Sequence, residues 1–198
     1  MVAGVILAAG RSSRMGRPKA LLRHVPSGHT FVGHLIRIAR SAGLEPILVV
    51  GRVGEHGLAA EVGRSGGVLT LNDRADEGQL SSIQAGLTAA EAAGAGAIMI
   101  LPVDVPLLST AVLASLLKAA GTSDAPIARA SYRGRHGHPV LFARAVFDEL
   151  LAADRTVGAR AVVRSDPGRV TEVEVDDPGV LFDLDTPDDY RRAFGRDL

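Results

Sequence analysis

Short apolar runs alternate with amphipathic stretches through the first 120 residues. The runs Val2–Leu7, Ile47–Val50, Val68–Leu71 and Ala97–Leu101 are apolar except at Thr70, which is typical of strands covered on both faces of a parallel sheet. The stretches between and after them predict helices, a glycine-rich weak one over residues 51–63 and longer ones elsewhere. Thr30 and either Ser109 or Thr110 are predicted helix caps, and residues 21–24 are predicted to form a short strand. Regular alternation of strand and helix indicates an α/β fold with a doubly wound, mostly parallel sheet.

The remainder of the chain has a less regular pattern. Short segments at Pro126–Ala130 and Val140–Phe142 predict strands, and Tyr132–Gly137 predicts a basic loop. Val170–Val175 alternates apolar and polar residues, which predicts an edge or half-exposed strand. We expect this part to form a small added β/α sub-region that covers the functional site. No linker or repeat separates it from the first part, so residues 1–198 are predicted to form a single domain.

The stretch from Leu7 to Lys19 is the strongest candidate for chemistry. Small residues end a buried strand there, and their backbone N–H groups offer an approach to phosphate. The spacing matches neither G-x-x-x-x-G-K-[ST] nor G-x-G-x-x-G. A solvated surface turn is the alternative, but a buried strand entering a Gly/Arg/Lys loop favours a polyphosphate site. The candidate nucleotide-binding residues are Leu7, Ala8, Ala9, Gly10, Arg11, Arg14, Met15, Gly16 and Lys19.

Two acidic segments are candidates for binding a metal ion. Asp104 follows the run Ala97–Leu101, where flanking prolines predict an extended segment, and its alternative role is that of an aspartate before a helix. Asp183 and Asp185 lie in a D-x-D pair before Thr186 and Pro187, which predict a helix start. Carboxylates together with substrate phosphates are the ligands that Mg²⁺ prefers. We favour Asp104 and Asp185, with Asp183 left open as the second ligand.

Two further polar segments suggest binding. Gly78, Ser81 and Ser82 surround a predicted helix start, which offers free N–H donors and hydroxyl groups, although an ordinary helix cap has the same pattern. His136 and His138 have H-x-H spacing. No further ligand lies at a suitable spacing and the chain has no cysteine, so a metal site there is disfavoured.

Composition narrows the class of protein. The 22 basic and 22 acidic side chains give zero formal net charge, which disfavours nucleic acid as the main partner. The absence of cysteine excludes disulfides. The apolar run at the amino terminus is too short for an export signal or a membrane span, so we expect a cytoplasmic protein with no membrane partner.

The motif L-A-A-G-x-S-x-R-M-G-x-x-K over Leu7–Lys19 resembles the signature of the MobA-like nucleotidyltransferases, and more narrowly the molybdenum cofactor cytidylyltransferase branch. Leu101–Pro106, the Asp183–Asp189 segment and Gly137–Pro139 resemble further family elements in the expected order. The resemblance implies a nucleotide-diphospho-sugar transferase fold and Mg²⁺-dependent transfer of a nucleoside monophosphate to a phosphorylated acceptor, with release of pyrophosphate. It implies molybdopterin or the molybdenum cofactor as the acceptor, and a molybdoenzyme as a possible partner.

The same resemblance assigns roles to individual residues. Arg14, Lys19 and Asp104 would be catalytic, and Asp104 and Asp185 would hold Mg²⁺. It places Gly78, Ser81 and Ser82 beside the base, and Arg135 and His138 at the acceptor. Ala9 stands where guanylyl-transferring relatives usually have glycine, which favours CTP over GTP.

Two other functions stay open at the level of sequence. One is a nicotine-blue-type oxidoreductase that uses NAD(P)H, which the missing G-x-G-x-x-G motif and the acidic residues disfavour. The other is a carrier of the molybdenum cofactor that has no catalytic activity.

Overall fold

The computed structural model describes residues 1–154 and 156–198. Within them, the strands form one seven-stranded sheet in the order β3-β2-β1-β4-β6-β5-β7. The strands are β1 (Val2–Leu7), β2 (Ile47–Arg52), β3 (Val68–Asn72), β4 (Ala97–Pro102), β5 (Ile127–Tyr132), β6 (Arg135–Ala143) and β7 (Val170–Glu174). The helices are α1 (Phe31–Ser41), α2 (Leu58–Ser65), α3 (Gln79–Ala92), α4 (Thr110–Thr122), α5 (Phe147–Ala152), α6 (Arg160–Arg164) and α7 (Pro187–Phe194).

The sheet is mostly parallel, as the sequence predicts. β1 pairs in parallel with β2 and β4, β2 with β3, and β5 with β7. Among the described strands, only β6 runs in the opposite direction, between β4 and β5. The amino end of β6 therefore lies at the same edge of the sheet as the carboxyl ends of β1, β2 and β4, where ligands bind in open α/β folds.

Helices cover both faces of the sheet and divide the apolar core into two layers. On one face, Phe31 and Leu35 of α1 and Leu113 of α4 are buried with side chains of β1 and β4. On the other face, Leu87 of α3 and Phe147 of α5 are buried with the opposite side chains of the same strands. This alternation of side chains along covered strands explains why the strands are apolar throughout.

The helix starts agree with the predicted caps. Thr30 accepts a hydrogen bond from the backbone N–H of Gly33 at 3.0 Å, and Ser109 accepts one from Val112 at 3.4 Å. Thr186 and Asp189 form a reciprocal capping box at the start of α7. These polar side chains satisfy donors that a helix start leaves free, so the sequence places them reliably.

Several predicted segments differ from the structure. The expected strand after residue 20 is instead a short 3-10 turn, Lys19–Leu21, and the weak helix begins only at Leu58 because β2 continues to Arg52. The predicted extended segment at Asp104 is a turn, closed by a hydrogen bond from Val105 N to Pro102 O at 3.1 Å. The basic loop is a tight hairpin, so residues 135–138 belong to β6.

One close approach holds α3 on the sheet. A Cβ atom at Gly86 would lie 2.4 Å from Val5 Cγ1 and 3.1 Å from Val50 Cγ2. Glycine therefore lets the helix backbone pack directly on β1 and β2. This contact places the start of α3 beside the ends of those strands.

Candidate active site

A cavity of about 390 Å³ opens at the carboxyl edge of the sheet. It lies between the loop after β1, the end of β2, the segment before α3 and the turn after β4. Its size suits a small-molecule ligand. The lining residues are Leu7, Ala9, Gly10, Arg11, Ser12, Lys19, Arg52, Ala75, Asp76, Gly78, Gln79, Ser82, Pro102, Val103 and Asp104.

The loop after β1 is closed by its own polar groups. Ser12, which has a φ of 50°, accepts a hydrogen bond from Lys19 N through its Oγ at 3.1 Å and from Met15 N through its carbonyl at 3.0 Å. The Met15 side chain is buried in the core and anchors the loop. This folding directs Lys19, whose side chain is 11% exposed, toward the cavity.

Lys19 joins the two predicted metal ligands. Its Nζ donates to Asp185 Oδ1 at 2.5 Å and lies 4.0 Å from Asp104 Oδ2. Arg14 donates to the other oxygen of Asp185 at 2.9 Å. Three of the residues that the sequence singled out, Lys19, Asp104 and Asp185, therefore meet at one ammonium group although they are separated by up to 166 positions.

A backbone contact brings the D-x-D segment to this point. Leu184 N donates to Asp104 O at 2.7 Å, which ties the segment before α7 to the turn after β4. The Leu184 side chain is fully buried. Asp189 also accepts from Asp185 N at 3.0 Å, so the capping box of α7 orients the Asp185 backbone.

Electrostatics distinguish the two carboxylates. Burial raises the pKa of Asp104, opposed by the charge of Lys19 and reinforced by those of Asp183 and Asp185. The hydrogen bond from Lys19 lowers the pKa of Asp185. The negative charge of Asp104 is thus less well balanced by neighbouring positive charge than that of Asp185. A bound cation would supply that positive charge.

The donor set fits a hard divalent cation. Carboxylate oxygens of Asp104 and Asp185 already converge on one positive charge, and oxygen ligands suit Mg²⁺ or Mn²⁺. No group of three or more His, Cys, Asp or Glu arranged for a metal occurs among residues 1–154 and 156–198. A cation held here would take its other ligands from water and from the phosphates of the substrate.

The two serines predicted beside the base differ in position. Ser82 lines the cavity and accepts from Asn72 Nδ2 at 3.0 Å. Ser81 is fully buried and donates to the carbonyls of Arg74 and Gly78, so it shapes the loop rather than facing the cavity. Among the predicted loop residues, Ala8, Met15, Arg14 and Gly16 likewise lie outside the cavity lining.

The predicted acceptor residues lie on β6, at the same edge but outside the cavity. Ile100 pairs with Val140, so Pro102 and His138 lie two residues further along both strands. Within the described chain, His138 Nδ1 is buried without a hydrogen-bond partner, and burial lowers the pKa of this histidine. Arg135 is exposed near the hairpin turn. The structure therefore brings His138 near the site and leaves Arg135 in solvent.

Residues 4–171 match the MobA-like NTP transferase domain. The chain belongs to this family. It is a nucleotidyltransferase, and its sheet and helices agree with the fold that the sequence predicts.

Similar proteins cover the chain almost completely. The purine catabolism protein PucB of Bacillus subtilis is 34% identical over 96% of both chains. A molybdenum cofactor guanylyltransferase of Rhodobacter capsulatus is 32% identical over 98% of this chain and 96% of its own. The crystal structure of Rv0371c from Mycobacterium tuberculosis has a TM-score of 0.81, 30% identity and 98% coverage of both chains. A manganese complex of Rv0371c has a TM-score of 0.73, 28% identity and the same coverage.

The site of this nucleotidyltransferase includes residues that the sequence analysis missed. Arg52 ends β2 and lines the cavity, with Nε donating to Ala9 O at 3.3 Å. Asp76 also lines it and binds both Arg11 and Arg52, whose hydrogen bonds lower its pKa to about 2. Arg52 could have been found from the sequence as a charged residue just after the apolar run Ile47–Val50. No such pattern marks Asp76, because its partners lie on other elements.

None of the described helices combines the length and the apolar character that crossing a bilayer requires.

Proposed function

We propose that this protein transfers a nucleoside monophosphate from a nucleoside triphosphate to a phosphorylated acceptor of the molybdopterin type, with release of pyrophosphate. The observation that carries the proposal is the meeting of Lys19, Asp104 and Asp185 beside a cavity lined by the loop after β1. That arrangement combines a cationic phosphate site with paired carboxylates. The Rhodobacter capsulatus relative, a molybdenum cofactor guanylyltransferase, supports an acceptor of this type.

Each group has a role that its position allows. Lys19 and Arg14, with the backbone between Ala9 and Gly16, hold the triphosphate and neutralise charge that moves to the leaving pyrophosphate. The acceptor phosphate attacks the α-phosphorus in line. Phosphoryl transfer of this kind depends chiefly on positioning and electrostatic stabilisation, so no general base is required.

Asp104 and Asp185 would hold a divalent cation, which we propose to be Mg²⁺. When bound, the cation supplies positive charge at the α-phosphate. The manganese in an Rv0371c structure supports a divalent metal in this group of proteins. Lys19 bridges both carboxylates here, so it and a cation compete for Asp185.

The far side of the site would receive the acceptor. His138 lies on β6 at the level of Pro102, and its buried Nδ1 has no hydrogen-bond partner among the described residues. Arg135 would add positive charge at the hairpin. We propose both as acceptor-binding residues.

Two observations favour different bases for the nucleotide. Ala9 favours cytidine, whereas the Rhodobacter capsulatus relative is named for guanylyl transfer. Gly78 and Ser82 line the cavity and are the proposed base contacts. We retain CTP as the prediction from Ala9, and the following screen compares it directly with GTP.

The test measures pyrophosphate release with ATP, CTP, GTP or UTP, Mg²⁺ and the molybdenum cofactor. We expect release with one nucleotide above the others and a cofactor–nucleotide product on chromatography. Asp104→Asn should lose the activity, and the matched control Asp124→Asn, at the opposite edge of the sheet before β5, should keep it. Release with none of the four nucleotides would refute the proposal. If the protein instead consumed NAD(P)H with a quinone-like dye, the result would favour the oxidoreductase. If it bound the molybdenum cofactor without turnover, the result would favour a carrier.

A further inference from the structure

Arg11 and Arg52 converge on one oxygen of Asp76. Asp76 Oδ1 accepts hydrogen bonds from Arg11 Nε at 2.9 Å and from Arg11 Nη2 at 2.8 Å, and it forms an ion pair with Arg52 Nη2 at 2.8 Å. Two guanidinium groups thus surround a single anionic oxygen. Arginine forks of this geometry recognise phosphate as readily as carboxylate.

This contact lies on the wall of the nucleotide cavity. Arg11, Arg52 and Asp76 all line it, together with Lys19 and Asp104. Lys19 and Arg14 are already engaged with Asp185, whereas Arg11 and Arg52 are engaged with Asp76. Two pairs of cationic side chains therefore lie at or beside the cavity, and each pair is bound to a carboxylate of the same chain.

The members of the second group are not equally fixed. Arg52 extends from the end of β2, is 26% exposed and is held by the carbonyl of Ala9. Asp76 is 57% exposed and lies on the short 3-10 turn Ala75–Glu77, which ends at Gly78 with a φ of 99°. Exposed ion pairs are weak, so the Asp76 carboxylate is readily displaced while Arg52 stays in place.

We propose that Arg11 and Arg52 form a phosphate-binding pair for the nucleotide, and that Asp76 occupies this pair until the nucleotide displaces it. The inference rests on the proposed function, because it assigns the pair to the triphosphate of that reaction. A phosphoryl group carries more charge and more acceptor oxygens than one carboxylate. Asp76 is then an internal competitor that lowers nucleotide affinity without touching the transferred phosphoryl group.

The test measures binding of inorganic pyrophosphate, and separately of CTP and GTP, by calorimetry without acceptor. Asp76→Asn should tighten pyrophosphate binding by about three- to tenfold, because a larger fraction of the protein has the arginine pair free. Arg52→Gln should weaken it by about tenfold, and Arg52→Lys by less, because lysine keeps the charge but loses the fork. The matched control Asp73→Asn, an exposed aspartate three residues earlier, should change nothing.

The double variant Asp76→Asn with Arg52→Gln distinguishes competition from a structural strap. Competition predicts that the gain from Asp76→Asn disappears when Arg52 is absent, and that the gain shrinks at high salt. A strap that only holds the loops together predicts that Asp76→Asn weakens binding and lowers the unfolding temperature, and this result would overturn the proposal. An unchanged pyrophosphate affinity in Asp76→Asn would also overturn it, even if the wild-type protein releases pyrophosphate in the nucleotide screen. A tightened affinity without turnover would instead count against the proposed function alone.

Discussion

The first 106 residues and the last 70 build the site in different ways. In the first region, β1, β2 and β4 are neighbours in a parallel sheet, so their carboxyl ends meet at one edge and the residues that follow them line a common cavity. In the second region, Asp185 comes from an irregular segment. That segment is held by the Leu184–Asp104 backbone contact and by the cap of α7. Regular sheet topology therefore forms the pocket, and a few specific contacts add Asp185 to it.

The largest effect is expected at Asp104, the metal candidate of the first region. Asp104→Ala should lower turnover by about a thousandfold or more, because charge stabilisation at a transferring phosphate is usually a large term. The side chain is 38% exposed, so the fold should stay intact. Pyrophosphate release and thermal unfolding check this, and retained turnover would remove Asp104 from the metal site.

The second region should mainly set the metal requirement. Asp185→Asn should raise the Mg²⁺ concentration for half-maximal turnover by about ten- to a hundredfold, since it removes one charged ligand. Asp183→Asn should have a smaller effect, because Asp183 makes no ion pair with Lys19 among the described contacts. Magnesium titrations of the two variants compare them directly. The reverse order would assign the second ligand to Asp183.

Each region has a glycine at which a side chain would overlap a neighbouring element. A Cβ at Gly137 would lie 2.3 Å from Val180 O, and one at Gly86 would meet Val5 Cγ1. Each change to alanine should cost about 2–3 kcal/mol of unfolding free energy through overpacking. Only Gly137→Ala should also raise the Mg²⁺ requirement, because Val180 precedes the segment that carries Asp185.

A third glycine serves as the control for this pair. Gly121 lies in α4 with nothing within 4 Å of its ideal Cβ. Gly121→Ala should stabilise the protein by about 0.5–1 kcal/mol, since alanine favours a helix over glycine. Denaturant unfolding measures all three. Equal metal requirements for Gly86→Ala and Gly137→Ala would contradict the difference between the regions.

Low pH should destabilise the contact of α7 with the first region. The rings of His24 and His34 stack with centroids 3.8 Å apart, and Phe194 of α7 packs edge-on against His24. Burial, with the charges of His34 and His29, lowers the pKa of His24 to about 4. Burial chiefly lowers that of His34 too, where the Leu108 carbonyl opposes the effect and His29 and Arg37 reinforce it.

The unfolded chain therefore binds more protons than the folded one at intermediate pH. The contribution of His24 to stability is complete above its ordinary pKa of 6.5 and is lost as the pH falls from 6.5 toward 4. We expect a loss on the order of 2 kcal/mol across that interval. Urea unfolding at several pH values measures it. His24→Gln should reduce the slope, whereas His56→Gln, at an exposed position, should leave it unchanged.

Prediction from sequence succeeded where structure is local or periodic. The apolar runs indicated the strands of the parallel region, and Thr30, Ser109 and Thr186 indicated helix starts, because each signal is contained within a few neighbouring residues. It failed at the turn after Pro102 and at the hairpin of residues 132–135. At the turn, Val103 N donates to Leu7 O of β1 at 3.1 Å, and in the hairpin Ser131 and Tyr132 pair with residues of the next strand. These contacts between elements are not visible in the local pattern.

The candidate site divides in the same way. The sequence by itself indicated the candidate phosphate-binding loop and the acidic residues, since these signals are contained in short motifs. Only the tertiary structure decided that Lys19 lies between Asp104 and Asp185 and that Asp76 binds the pair Arg11 and Arg52. Arg11 and Asp76 are 65 positions apart, and Lys19 and Asp185 are 166 positions apart. Contacts over such separations depend on how the elements pack.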